Sequence, residues 1–356
     1  MPLDLVLGVD GIGSFRIGTS LTHVIKYLQK NGLLFHHVDV SFATEVEEQR
    51  EITSNKSDDI ELNLSEHEIR LRFDAQLQLL YSVQLRDLSR VRVRLNNEAF
   101  IGDTVEAKMK TIQVVLGPTK TPQSFTNAEG KRKVLLEYPQ IAFMFDENVD
   151  VAHAAFVHSP SSGLLDARED SIRNGFASLA ARLIDCTQNA TIITVGEQTL
   201  CFDSCHQEAF GVLGNPDWRY AVRNYHNEPL EQWRYSALGL DLFFSPNAEG
   251  SGRLTQIRLL CNLPDRPEFA SSERAHFRLH LHKKDGTNIT VTENTRKSEW
   301  PSKETLDLRD DTGNFHATVL SMSGVLPLFT GERLASVMLV PSRESRPTTL
   351  SAVNLR

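Results

Sequence analysis

The stretch NLSEHEIRLRFDAQLQLLYSVQL (Asn63–Leu85) alternates between apolar and polar residues and then returns as a second apolar run. Ile69, Leu71 and Phe73 share one face of an extended chain, and the charged residues between them share the other. A polar turn separates the two apolar runs. The stretch therefore predicts an antiparallel β-hairpin with one buried face.

Three later stretches have the same arrangement of an apolar strand, a polar turn and a second apolar strand. They are EYPQIAFMFDENVDVAHAAFV (Glu137–Val157), YSALGLDLFFSPNAEGSGRLTQIRLL (Tyr235–Leu260) and SMSGVLPLFTGERLASVMLV (Ser321–Val340). Because the order and the strand endings recur, we predict that the chain contains an internal repeat of hairpins.

Amphipathic helices are predicted ahead of the first three hairpins. Ser20 precedes the first helix, whose apolar residues recur at helical spacing from Leu21 to Leu28. Capping boxes are predicted for the other two helices, and they pair Asp103 with Glu106 and Ser204 with Gln207.

The second and third helices end in similar glycine and proline residues. Gly117 is followed by Pro118, and Gly214 is followed two positions later by Pro216. Glycine adopts a positive φ at a helix end and proline prevents the helix from continuing. We therefore predict structural roles for these four residues and positive φ at both glycines.

These patterns predict an α+β fold of tandem helix-plus-β-hairpin units, which form twisted antiparallel sheets with the helices packed against them. The first two units are expected at 1–157, and a linker is expected at 158–174, where HSPSSG stands. The third unit and a degenerate fourth hairpin follow at 175–341. Residues 342–356 are expected to be a disordered tail.

Composition narrows the class of protein. The chain has 356 residues, 40% of them hydrophobic and 24% charged, which is typical of a folded globular protein. A formal net charge of −8 argues against nucleic-acid binding, which needs a basic surface. Asp4 stands where a secretory signal would carry a basic residue, and the four cysteines show no disulfide spacing. We therefore expect a cytoplasmic protein.

Several stretches, in this order, resemble the phagophore assembly factor family. They are FRIGTSLTHVIKYLQKN (Phe15–Asn31), DIELNLSEHEIRLRFDAQLQLLYSVQLRDLSRVRVRL (Asp59–Leu95), TVEAKMKTIQVVLGPTKTPQSFTNAEGKRKVLLEYPQIAFMFD (Thr104–Asp146) and LCFDSCHQEAFGVLGNPDWRY (Leu200–Tyr220). The resemblance implies a non-catalytic adaptor or regulatory protein of autophagy. It also implies a complex with a WD40-type β-propeller protein at the pre-autophagosomal membrane, and it implies no cofactor.

The strongest candidate binding feature is the run LSRVRVRL at residues 88–95. Arg90, Arg92 and Arg94 alternate with apolar residues, which places three guanidinium groups on one strand face. Such a row can bind a phosphorylated lipid head group, as in a phosphoinositide, or an acidic strip on a partner. The alternative is an ordinary solvated face whose charge is balanced by acids such as Glu61 or Asp87.

Two clusters leave a Cys- or His-dependent enzyme open as an alternative function. The first cluster contains Cys201, Cys205 and His206. The second is a strand that places four residues on one face, namely His276, Arg278, His280 and His282. Neither spacing is sufficient for a metal site or a catalytic pair, so we predict neither. An enzyme should show convergent polar groups in a pocket, whereas an adaptor should show an exposed apolar patch or strand edge.

Overall fold

The structure is a computed structural model. It describes residues 3–8, 10–42, 59–95, 98–102, 105–119, 121–126, 130–159, 164, 182–187, 192–224, 227–246, 252–263, 266, 269, 271–282, 288–301, 305–309, 316–320 and 324–340. The chain divides into two compact units, Met1–Ala177 and Ser178–Arg356, called unit 1 and unit 2 below. Most of the predicted linker at 158–174 and all of the predicted tail at 342–356 lie outside the described residues.

The structure describes the following helices and strands in unit 1. They are β1 (Leu3–Val6), β2 (Gly11–Ile12), β3 (Phe15–Arg16), α1 (Leu21–Lys30), β4 (Asp39–Phe42), β5 (Ile60–Leu64), β6 (Ile69–Phe73), β7 (Leu80–Leu85), β8 (Val91–Leu95), β9 (Glu98–Ile101), α2 (Met109–Leu116), β10 (Gln123–Thr126), β11 (Arg132–Glu137), β12 (Ile141–Asp146) and β13 (Ala154–His158).

The described elements of unit 2 follow a similar order. They are β14 (Ile184–Thr187), β15 (Ile192–Val195), β16 (Gln198–Cys201), α3 (His206–Leu213), β17 (Trp218–Arg223), β18 (Pro229–Tyr235), a 3-10 helix (Ser236–Leu238), β19 (Leu240–Ser245), β20 (Arg253–Leu260), β21 (Phe277–His282), β22 (Asn288–Thr292), a second 3-10 helix (Lys297–Glu299), β23 (Thr305–Arg309), β24 (His316–Leu320), β25 (Val325–Thr330) and β26 (Arg333–Leu339).

Each unit contains one eight-stranded antiparallel sheet made from two four-stranded meanders. The strand order is β10-β11-β12-β13-β7-β6-β5-β4 in unit 1 and β17-β18-β19-β20-β26-β25-β24-β23 in unit 2. In both sheets the last strands of the two meanders pair with each other, β13 with β7 and β20 with β26. The outer edges are consequently the first strands of the meanders.

A smaller sheet in each unit contains a parallel pair. Strand β1 runs parallel to β8 in unit 1, and β14 runs parallel to β21 in unit 2. In unit 2 a single buried cluster includes Leu279 of the smaller sheet, Leu242 and Ile257 of the eight-stranded sheet and Ala209 of α3. The smaller sheet and α3 therefore pack on one face of the large sheet, which supplies the hydrophobic core of unit 2.

The predicted fold class is wrong. The protein is mostly β, with 26 strands against three α-helices among the residues that the structure describes. The four predicted hairpins are present as β6–β7, β12–β13, β19–β20 and β25–β26, but each is only half of a four-stranded meander. The sheets are thus continuous eight-stranded structures and not strings of helix-plus-hairpin units.

The helix starts follow the predictions at one position and depart from them at two. Ser20 is the N-cap of α1, and its side chain accepts from the N–H of His23. Helix α2 begins only at Met109, because Val105 is held in a β-bridge to Gly102. At α3 the capping box pairs Cys205 with Glu208, while the hydroxyl of Ser204 accepts from the N–H of Cys201.

The glycines that follow α2 and α3 have the positive φ that the sequence predicts. Gly117 has φ 85° and ψ −179°, and Gly214 has φ 75° and ψ −157°. This region of backbone space is open almost exclusively to glycine. A Cβ at either position would have no heavy atom within 4 Å, so a side chain there would be disfavoured by backbone strain and not by a clash.

A comparison of two glycines in the same segment tests this backbone requirement. Gly214→Ala should lower the free energy of unfolding by about 1–3 kcal/mol, because alanine is strained at the φ of this residue. Gly211→Ala, within α3, should instead stabilise by up to about 1 kcal/mol, since alanine is a better helix former. Urea unfolding of the two variants measures both changes. Equal effects of the two substitutions would contradict the prediction.

A buried carboxylate on β19 of unit 2 binds side chains from the two neighbouring strands, β18 and β20. Asp241 on β19 has no exposed surface and binds Arg234 at 2.8 Å and Arg258 at 2.6 Å, while Gln232 donates at 2.9 Å. Burial would raise the pKa of Asp241, but the two arginines outweigh it and hold this pKa below its usual value. In unit 1, Glu61 similarly binds the guanidinium groups of two arginines on β6.

Removal of this carboxylate should destabilise unit 2 strongly. Asp241→Asn should lower the free energy of unfolding by about 3–5 kcal/mol at neutral pH, because it leaves two partly buried guanidinium groups uncompensated. Since the pKa of Asp241 is lowered on folding, the stabilisation is complete above the ordinary aspartate pKa of 3.8 and is lost as the pH falls below it. The difference between wild type and variant should therefore narrow in acid.

Chemical denaturation at neutral and acid pH measures this difference. Glu197→Gln, at an exposed turn of the same unit, is the matched control and should change stability by less than about 0.5 kcal/mol. A stability loss in Asp241→Asn as small as that of the control would contradict the role assigned to Asp241.

Candidate functional site

Two residues of the predicted arginine row, Arg92 and Arg94, lie on β8 of unit 1, and Arg90 immediately precedes the strand. Val91 and Val93 are fully buried on one face of the strand, whereas Arg90 is exposed and the other two arginines are half-buried. Strand β8 runs between β1 and β9, so its apolar face is held against the core by neighbours on both sides. The alternation of the run thus places the guanidinium groups on the outer face.

Arg94 and Arg90 have carboxylate partners within unit 1. Arg94 donates two hydrogen bonds to Asp4 on β1, at 2.8 and 2.6 Å, and Arg90 lies 3.4 Å from Asp87. The sequence analysis suggested Glu61 as an acid that could balance the row, but Glu61 binds two arginines on β6. The acid that balances Arg94 is Asp4. Because the row carries nearby negative charge, its attraction for an external anion is reduced, and its binding role stays a prediction.

The cysteine and histidine cluster at α3 serves local contacts. The sulfur of Cys205 accepts from the backbone at the start of the helix, and the ring of His206 stacks on Trp233 with 4.7 Å between ring centroids. The buried thiols elsewhere in unit 2, Cys186 and Cys261, have pKa values raised to about 12 by burial. They stay protonated at neutral pH and are poor nucleophiles.

The histidine strand is β21, which occupies the place in unit 2 that β8 occupies in unit 1. His276 lies 3.0 Å from Glu293, and His280 lies 3.0 Å from Asp185 on the parallel strand β14. Arg278 lies 3.6 Å from the same aspartate, while the side chain of His282 is outside the described part. No group of three or more potential metal ligands occurs among the residues described.

An exposed aromatic strand was missed by the sequence reasoning. Strand β17 forms one edge of the eight-stranded sheet of unit 2, and each of its side chains is exposed or half-exposed. Trp218 is 58% exposed and Tyr220 is 42% exposed, with their rings stacked at 6.4 Å between centroids. Large aromatic side chains are usually buried, so a stacked pair in contact with solvent is an unusual feature of this surface.

An open cavity of about 400 Å³ lies beside β17, and Tyr220 is one of the residues that line it. The lining also includes Arg219 of β17, Glu231 and Leu230 of β18, Phe244 of β19 and His206 of α3. The Arg219 guanidinium lies 4.4 Å from the Trp233 ring centroid, a cation–π contact. Burial lowers the pKa of His206, and Arg219 acts in the same direction while Glu231 opposes it.

The sequence signal for this site is the run WRYAVR (Trp218–Arg223), in which aromatic and basic residues alternate. Alternation alone predicts a strand with one buried face, and it does not reveal that both faces meet solvent. Sequence reasoning used these residues only as part of a family resemblance. The exposure follows from the position of the strand at the edge of the sheet.

The fold defines a mostly β protein of two compact units. Residues 11–171 match the model of the family described as phagosome assembly factor 1. This match supports the resemblance seen in the sequence for residues 11–171, all of which lie in unit 1. A search of curated proteins found no match. Within the described residues, no helix is both long and apolar enough to cross a membrane.

Charge reversal tests the arginine row. Arg90→Glu combined with Arg92→Glu should reduce flotation with phosphoinositide-containing vesicles at least tenfold if the row binds phosphorylated head groups. Raising the salt concentration should weaken wild-type binding in the same direction by screening. Lys30→Glu combined with Lys110→Glu, at exposed positions on α1 and α2, makes the same charge change elsewhere in unit 1. Equal flotation of both double variants would show that the row has no special role.

Proposed function

We propose that the protein is a non-catalytic adaptor of autophagy that acts by binding a protein partner. The family name indicates an autophagy-related role, and the exposed strand edge supplies a surface for contact. We further propose that the adaptor works in the cytoplasm and is recruited to the pre-autophagosomal structure. These finer statements rest on the resemblance and on the surface chemistry.

The stacked pair of Trp218 and Tyr220 is the observation that carries the proposal. Tryptophan and tyrosine are the residues most enriched among interface hot spots, because each buries a large rigid surface while losing little conformational entropy. Both rings lie on one face of β17, and each is about half exposed. A partner that covers them removes apolar surface from water, which favours association.

The resemblance points to a WD40-type β-propeller protein as the partner. In this proposal the partner contributes part of the membrane contact, and the arginine row adds a weak or indirect contact with phosphoinositides. Half-exposed Arg90 is the most accessible group of the row. The proposal includes neither nucleic-acid binding nor a cofactor.

Local geometry makes the enzyme alternative the weaker one. Cys205 is engaged as a helix cap, and His206 is stacked on an indole ring. The carboxylate of Glu231 in the nearby cavity accepts from the indole N–H of Trp233 at 2.7 Å. The sulfur of Cys205 and the carboxylate of Glu231 are thus engaged in structural contacts, while the Nε2 of His206 lies 3.3 Å from Glu231.

Removal of the two aromatic side chains tests the adaptor proposal. Trp218→Ala combined with Tyr220→Ala should weaken binding to the purified β-propeller partner at least a hundredfold, because hot-spot aromatics each contribute about 2 kcal/mol or more. The thermal midpoint should change little, since both rings are about half exposed. Surface plasmon resonance and thermal unfolding measure the two effects.

Phe210→Ala is the matched control, because Phe210 is an exposed aromatic residue of the same unit on α3. It should leave partner binding within twofold of wild type. Normal binding by the double variant would show that the aromatic pair is not the contact surface. A loss of binding in the Phe210 variant alone would move the contact to the helix.

A further inference from the structure

We propose that β17 is extended by an acidic, strand-forming segment of the partner, which adds to the free edge of the unit 2 sheet by backbone hydrogen bonding. This inference rests on the proposed function and specifies the mode of binding and the chemistry of the occupant. In strand addition, main-chain hydrogen bonds supply affinity and alternate side chains supply specificity.

Strand β17 has the geometry that strand addition needs. It pairs only with β18 among the described strands, and its six residues keep a continuous register with no bulge and no proline. An edge strand directs the N–H and C=O groups of alternate residues away from the sheet, where a new strand can pair with them. Proteins commonly protect such edges with short strands, inward-pointing charges, prolines or bulges.

The equivalent edge in unit 1 is built differently. Strand β4 has four residues and begins with Asp39, which accepts from Ser65 at 3.0 Å and lies 3.0 Å from His37. Strand β17 is two residues longer and carries no acid. Of these two equivalent edge strands, β17 is therefore the longer one, and its charged side chains are both basic.

Charge defines the chemistry of the occupant. Arg219 and Arg223 lie on one face of β17, and neither has a carboxylate within 4 Å in the described part of the chain. Glu231, which lines the same cavity as Arg219, accepts from the indole N–H of Trp233, and Glu228 accepts from Asn224. In a chain of net charge −8, these two arginines attract an acidic segment.

The two faces of β17 set the pattern of the added segment. Side chains of a new strand alternate between the faces. Those beside Trp218 and Tyr220 meet aromatic surface and should be apolar, whereas those beside Arg219 and Arg223 should be acidic. The cavity next to Arg219 leaves room for side chains that differ in length.

Peptide binding to the full-length protein tests the inference. The probe is a fluorescein-labelled ten-residue peptide in which glutamate alternates with valine and tyrosine, and its binding is followed by fluorescence anisotropy. One comparison peptide carries lysine in place of glutamate, and another carries N-methyl groups on alternate backbone nitrogens. The glutamate peptide should bind at least tenfold more tightly than either comparison peptide.

Charge reversal at the strand should then invert the preference. Arg219→Glu combined with Arg223→Glu should bind the lysine peptide more tightly than the glutamate peptide, while Arg253→Glu, an exposed arginine on β20, should bind like wild type. Absence of saturable binding, or binding that is insensitive to N-methylation, would overturn strand addition. In that case a loss of β-propeller binding on removal of Trp218 and Tyr220 would still support the adaptor proposal, so the two failures are distinguishable.

Discussion

The pairing between the last strands of the two meanders is the constraint on which each unit depends. In unit 1 it places Leu85 of β7 opposite Ala155 of β13, and in unit 2 it places Leu259 of β20 opposite Val337 of β26. All four of these residues are buried. Because the paired strands become the centre of the sheet, the first strand of every meander is forced to the outside. The exposure of β17 at the sheet edge is thus a consequence of the pairing between β20 and β26, which lie more than twenty residues away along the chain.

The same plan in both units explains the surroundings of the two basic strands. Strands β8 and β21 each run parallel to a strand that carries an aspartate, Asp4 in one unit and Asp185 in the other. Each aspartate contacts a basic side chain of its neighbour, Arg94 or His280. These acid–base contacts help to align the parallel pair, and they lower the net charge that either row presents to a ligand. The strand whose arginines lack such acids, β17, is the one at a sheet edge.

Local signals predicted the local elements well. The hairpin beginning at Ile69, the cap at Ser20 and the conformations of Gly117 and Gly214 depend on residues only a few positions apart. The fold class failed because the outer strands carry weak signals. Strand β10 has four residues that are mostly exposed, so its sequence resembles that of a loop. Strand β17 has no buried face. The helix-plus-hairpin prediction therefore included only the inner two strands of each meander.

For the candidate sites too, the sequence predicts local arrangement but not contacts between distant residues. Alternation in LSRVRVRL is sufficient to place three arginines on one face, but the partner of Arg94 is Asp4, 90 residues earlier. Nothing near β8 in the sequence indicates that pairing. The wrong capping residue at α3 has a local origin instead, because the hydroxyl of Ser204 accepts a hydrogen bond in the turn after β16.

By itself the sequence determined the hairpins, the glycine helix ends, the family resemblance and the faces of individual strands, since these depend on side chains and backbone preferences within a short segment. Only the tertiary structure decided which strands lie at the centre of each sheet, which acids neutralise the basic rows and which aromatic residues stay in solvent. The physical reason is that exposure and charge balance at Trp218 or Arg94 depend on hydrogen bonding and packing between strands that are distant in the chain.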